Sequence, residues 1–87
     1  MTSVINKGDV VYWARIIHET GIYEVLELKI RTVEPDYFVG TEKRSKQAFI
    51  FPYDYVGETI LKEREPILRM VQEAEKNKKE FTTGGDE

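Results

Sequence analysis

The sequence predicts a mainly β domain: a five-stranded, partly open barrel followed by one C-terminal α-helix. Three observations predict it. Aromatic and β-branched residues gather in short runs before residue 62. Turn-forming residues separate those runs every few positions. From about residue 63 the apolar period lengthens from two residues to that of a helix.

Asn6-Lys7-Gly8-Asp9 reads as a turn, and residues 10–18, rich in Val, Ile, Tyr and Trp, read as the first strand. Glu19-Thr20-Gly21 closes a hairpin, with a glycine available for positive φ. In the second strand, residues 22–34, Leu26, Leu28 and Ile30 alternate with Glu27, Lys29 and Arg31. The aliphatic side chains therefore share one face and the charges share the other. Pro35-Asp36 ends that run, because proline cannot donate to a ladder. Residues 37–41 form the third strand, 42–46 a charged turn and 47–51 the fourth strand. Residues 52–57 read as a turn or a single 3₁₀ turn, and 58–61 as a short fifth strand. Ile67, Val71 and Ala74 then recur at helical spacing, with Pro66 in the first turn and Lys76, Lys78 and Lys79 toward the end. This helix carries one narrow apolar stripe, expected to lie over the open side of the barrel or on a partner. The expected organisation is an N-terminal arm over 1–6, a barrel over 7–62, a helix over 63–80 and a disordered tail over 81–87.

A chain of 87 residues is one domain with a thin core. It has no cysteine, which removes disulfides, thiolate nucleophiles and cysteine-bound zinc. No apolar run approaches the roughly 18–20 residues that span a bilayer, and the N-terminus lacks the apolar stretch of a signal peptide. A cytoplasmic protein with no membrane partner is expected. Thirteen basic against sixteen acidic residues leave a net charge of −3, which argues against a broad basic footprint but allows a local patch.

Two patterns resemble the SH3-like barrel family over roughly residues 7–61. Lys7-Gly8-Asp9-Val10-Val11-Tyr12 resembles the Gly-Asp opening of many bacterial SH3-like barrels. Phe51-Pro52-Tyr53-Asp54-Tyr55-Val56 resembles the Pro-x-x-Tyr-Val stretch that forms the 3₁₀ turn between the last two strands of SH3 domains. In peptide-binding members, residues matching Pro52 and Tyr55 help line the polyproline groove. This chain departs from those members: it has no Ala-Leu-Tyr-Asp-Tyr stretch, and its one Trp, Trp13, lies in the first strand. Gly57-Glu58-Thr59-Ile60-Leu61 followed by a charged helix is similar to the close of small bacterial, phage and prophage barrel proteins, a group that implies no activity.

No catalytic site is expected. The acids are dispersed, whereas general acid–base work needs two in a sheltered cleft. Ser3 and Ser45 have no nucleophile-elbow motif around them, and no phosphate-binding glycine string is present. His18 would have only carboxylates such as Glu19 and Glu24 to complete a metal site, so neither a metal nor a cofactor is expected. The aromatic set Tyr12, Trp13, Tyr37, Tyr53 and Tyr55 is either core or a recognition face. On the second reading the chain is a non-catalytic protein-interaction module, a phage-type accessory protein whose partner protein or peptide meets Trp13, Pro52, Tyr53 and Tyr55. Two alternatives stay open. One is a KOW-like nucleic-acid-binding module using Lys43, Arg44 and Lys46, with Lys29 and Arg31 nearby. The other is a structural protein that self-associates as a homodimer.

Overall fold

A computed structural model describes the backbone of residues 5–86 and the side chains of residues 5–77. Five strands, β1 (Val10–Ile17), β2 (Ile22–Val33), β3 (Tyr37–Glu42), β4 (Ala48–Pro52) and β5 (Ile60–Leu61), precede one helix, α1 (Arg64–Asp86). A 3₁₀ turn, Tyr53–Tyr55, links β4 to β5. The strands form one antiparallel sheet in the order β4-β3-β2-β1-β5. The edge strands β4 and β5 do not pair with each other, so the sheet is a partly open barrel, as the sequence predicts.

The spine of the sheet is β2. Its residues 22–29 pair with β1 and its residues 28–33 pair with β3, so the two ladders overlap only at Leu28 and Lys29. A register shift between Ile30 and Thr32 leaves Arg31 as a bulge, which bends the strand and raises its twist. At the overlap Leu28 is fully buried over Gly40, where a Cβ atom would stand 3.2 Å from the Leu28 Cβ.

The period of two places Leu28 and Ile30 with Val11, Phe38, Phe51 and Ile60 in the main core. Each such side chain contributes about 1.5–3 kcal/mol when fully buried. Ile5, within the stretch expected as an N-terminal arm, is also buried there; residues 1–4 of that arm lie outside the described residues.

The other face of β1 carries a second, smaller core. Ile67 and Val71, one helical turn apart, are buried against Ala14. Tyr12, Ile16, Tyr23, Val25, Leu61 and Met70 pack around them. The helix thus covers the opposite face of β1, β2 and β5 and not the open side of the barrel. The small side chain of Ala14 lets the helix approach closely, and its apolar neighbours complete the seat. Pro66 sits in the first helical turn, where its missing N–H is no loss, and Glu65 faces the positive end of the dipole. Helical backbone continues to Asp86, beyond the boundary at 80 expected from the sequence. An anchored helix gains one hydrogen bond for each residue added. Glu87, the last residue of the expected tail, lies outside the described residues.

The β3–β4 turn is held by Glu42, which is 7% exposed. Its Oε1 accepts the Ser45 N–H at 2.7 Å. Lys46 N–H donates to the Glu42 carbonyl, and Glu42 N–H to the Gln47 carbonyl, both at 2.9 Å. The hydrogen bonds from Ser45, aided by Arg44, hold the Glu42 carboxyl below its ordinary value.

Ile67→Ala is expected to lower stability by about 2–5 kcal/mol through a cavity at the helix seat. Urea unfolding reads this directly, and an unchanged midpoint would mean that the helix does not belong to the cooperative unit. The second prediction concerns acid. Because the native pKa of Glu42 is lowered, its ionised form contributes stability that is present above the ordinary carboxylate value of 4.5. That stability is lost as pH falls through the lowered native value. Glu42→Gln should therefore flatten this part of the acid-side fall in melting temperature; superimposable acid profiles for the two proteins would exclude a role for the charge.

Candidate functional site

Alternation along β1 turns Trp13 inward with Val11 while Tyr12 and Ala14 meet the helix. The same alternation on β4 turns Phe49 and Phe51 inward and leaves Ile50 70% exposed. The Trp13 ring meets Phe51 at 4.8 Å between centroids with planes at 76°, and Phe49 at 5.3 Å with planes at 63°. Both are edge-to-face pairs, the arrangement that ring quadrupoles favour. Phe51 in turn meets Tyr55 of the 3₁₀ turn at 5.5 Å. The Arg15 guanidinium carbon stands 5.8 Å from the centroids of both Trp13 and Phe49, an attraction of about 0.5–1 kcal/mol at an exposed site. Arg15 Nη1 also lies 3.4 Å from Glu24 Oε2.

These groups open into a groove of about 700 Å³ on the unclosed side of the barrel. Trp13, Phe49 and Tyr55 form its aromatic floor and wall; Arg15, Asp54 and Glu58 stand at its rim. The volume falls within the range of about 300–1,000 Å³ usual for ligand sites. Asp54 and Glu58 are both exposed, so the groove offers no sheltered pair of acids for proton transfer.

One wall of the groove is strand edge. β5 pairs with β1 only at Tyr12 and Trp13, and the Ala14 N–H donates to the Thr59 carbonyl at 2.8 Å. Beyond Ala14, β1 continues to Ile17 paired with β2 alone. Ile16 and Ile17 line the groove along this stretch.

Of the four residues expected to form a docking face, Trp13 and Tyr55 come together here, and Pro52 and Tyr53 are not among the groove's lining residues. Pro52 is exposed opposite Tyr37. Tyr53 is half-buried against Phe38, 5.3 Å between centroids, and donates its hydroxyl to the Glu34 carbonyl at 2.6 Å. Sequence reasoning missed Phe49 and Arg15. The signal was present: each lies two residues from an inward-facing ring on its own strand, Phe51 and Trp13 respectively.

The basic turn is split between two regions. Lys46 lines a hollow with Lys29, Arg44 lines a mixed-charge hollow with Glu24 and Arg64, and Lys43 stands between the two and lines both. His18 Nδ1 lies 2.9 Å from the Tyr23 hydroxyl, with the two rings edge-on. Among the described residues no group of three or more His, Asp or Glu side chains is placed to hold a metal ion, and no helix is long and apolar enough to cross a membrane.

Tyr53→Phe removes the hydrogen bond to Glu34 and should lower stability by about 0.5–1.5 kcal/mol while leaving ligand binding at the groove unaltered. Thermal unfolding checks the first part; a change in ligand affinity equal to that of a groove variant would return Tyr53 to the site.

Comparison with protein-family models, with curated proteins and with solved structures finds no match to this chain.

Proposed function

We propose that the chain is a non-catalytic, cytoplasmic protein-interaction module that receives a peptide segment of a partner protein in the Trp13–Phe49–Tyr55 groove. The observation that carries this reading is the gathering of three large rings on the unclosed side of the barrel, beside a strand edge that β5 leaves uncovered. Rings of this kind supply much contact area at little entropic loss, and Tyr and Trp dominate binding hot spots. Charged groups at the rim around an aromatic floor match the usual anatomy of such interfaces. The resemblance of residues 51–56 to the SH3 turn adds support, since it carries a ligand-facing role to Tyr55, a residue of the groove wall. An accessory role of the phage or prophage kind rests on the resemblance of the closing segment alone.

Trp13 is the one Trp of the chain and lies in the groove, so its fluorescence reports occupancy. Peptides selected from a random display library against the whole chain should shift Trp13 emission on titration. Tyr55→Ala should weaken them at least tenfold, about 1.4 kcal/mol, with the melting temperature nearly held, because the Tyr55 side chain is partly exposed. Selected peptides that bind Tyr55→Ala as tightly as the parent protein would remove the groove as the site.

A further inference from the structure

Among the described residues the helix is seated on β1, the first half of β2 and β5. The outer face of the sheet continues over the second half of β2, β3 and the turn after β3, and its charge there differs from that of the whole chain. Two adjoining hollows of about 590 and 290 Å³ share Lys29 and Thr41 as a common wall. The first adds Lys7 and Arg31, and the second adds Lys43 and Lys46. Pairing puts Val10, Lys29 and Thr41 side by side across three strands, so Lys29 stands in the middle of the face. The Arg31 bulge turns a second cation of β2 into the same hollow as Lys29.

Two acids, Glu27 and Glu42, line this face against five cations, and Glu27 offsets one of them, Lys43. Glu27 stands 3.9 Å from Lys43, and the buried Glu42 carboxylate accepts the Ser45 N–H. In a chain with a net charge of −3, five cations thus share one surface, and most of the acidic charge lies elsewhere. A second observation points the same way. Lys46 adopts φ +64°, the left-handed region that favours glycine. The turn therefore keeps a cation at a position where backbone strain favours a residue without a side chain, and such strain is a mark of functional positions.

We propose that this basic face docks the phosphate backbone of a nucleic-acid duplex. Among the described residues neither hollow is lined by an aromatic ring. The face thus offers charge without a stacking platform, which suits a duplex whose bases are already stacked better than a single strand that needs rings to stack on. The contact is sequence-independent, because these cations reach phosphates and not base edges. It is separate from the aromatic groove, with which it shares no lining residue.

The test is fluorescence anisotropy of the whole chain with a labelled DNA duplex two helical turns long. Saturable binding is expected at about 50 mM salt, falling roughly a hundredfold by about 200 mM as three to four phosphates release their counterions. The double variant Lys29→Glu, Arg31→Glu should lose at least tenfold in affinity at low salt. Lys46→Gly separates binding from folding: it should weaken the duplex severalfold while the melting temperature holds or rises, since glycine adopts this backbone freely. Tyr55→Ala should bind the duplex like the parent protein. Absence of binding by the parent protein at low salt overturns the proposal, as does equal binding by the Lys29/Arg31 variant. So does binding to phosphatidylserine vesicles with none to the duplex.

Discussion

The overlap of the two ladders at Leu28 is the constraint on which the rest of the molecule depends. One strand of twelve residues serves two partners, and only Leu28 and Lys29 belong to both pairings. The sheet must turn sharply there, and the turn brings Leu28 down onto Gly40. A larger residue at position 40 would push the buried Leu28 side chain against Val11 and Ile30, in a core packed without spare space. With the turn in place, β4 swings toward β1 without reaching it, and the gap between them becomes the groove.

β1 is committed on both faces. Val11 and Trp13 build the barrel interior, and Tyr12, Ala14 and Ile16 seat the helix. Trp13 therefore cannot be assigned to core or to surface alone: one edge packs on Phe51, while the ring also lines the open groove. The helix removes from solvent a face that would otherwise be an apolar patch on a small protein. By lying on β1, β2 and β5 it also leaves, among the described residues, the groove clear and the β2–β3 side of the outer face bare.

The two candidate surfaces follow from this arrangement and are built from different chemistry. The groove is aromatic, lies on the inward face and is flanked by a strand edge. The basic face is made of long flexible cations standing on the outward face, positioned by a bulge at Arg31 and a left-handed residue at Lys46. Both backbone features turn cations toward the same region of an otherwise acidic protein.

Much of the fold was legible in the sequence for physical reasons. A period of two in Leu26, Leu28 and Ile30 can bury only one face, and Ile67 with Val71 can bury only one stripe, so the order of the strands, the inward residues of β2 and the presence of the helix were legible, while the extent of β5 and of the helix was not. The candidate site was half legible. Composition marked Trp13, Tyr53 and Tyr55 as a surplus of rings, but only tertiary structure separated them. In a 3₁₀ turn of about three residues per turn, side chains two apart point to different sides: Tyr53 goes to Phe38 and Tyr55 to Phe51. Nor does sequence spacing relate β1 to β4, which meet only because β2 bends; the approach of Phe49 and Arg15 to Trp13 is a property of the curled sheet. The local pattern determined which residues turn inward on each strand, because alternation is built into the extended backbone. The folded chain alone decided which inward residues meet and where the helix rests, because those depend on how far the sheet coils before β4 and β5 fail to join.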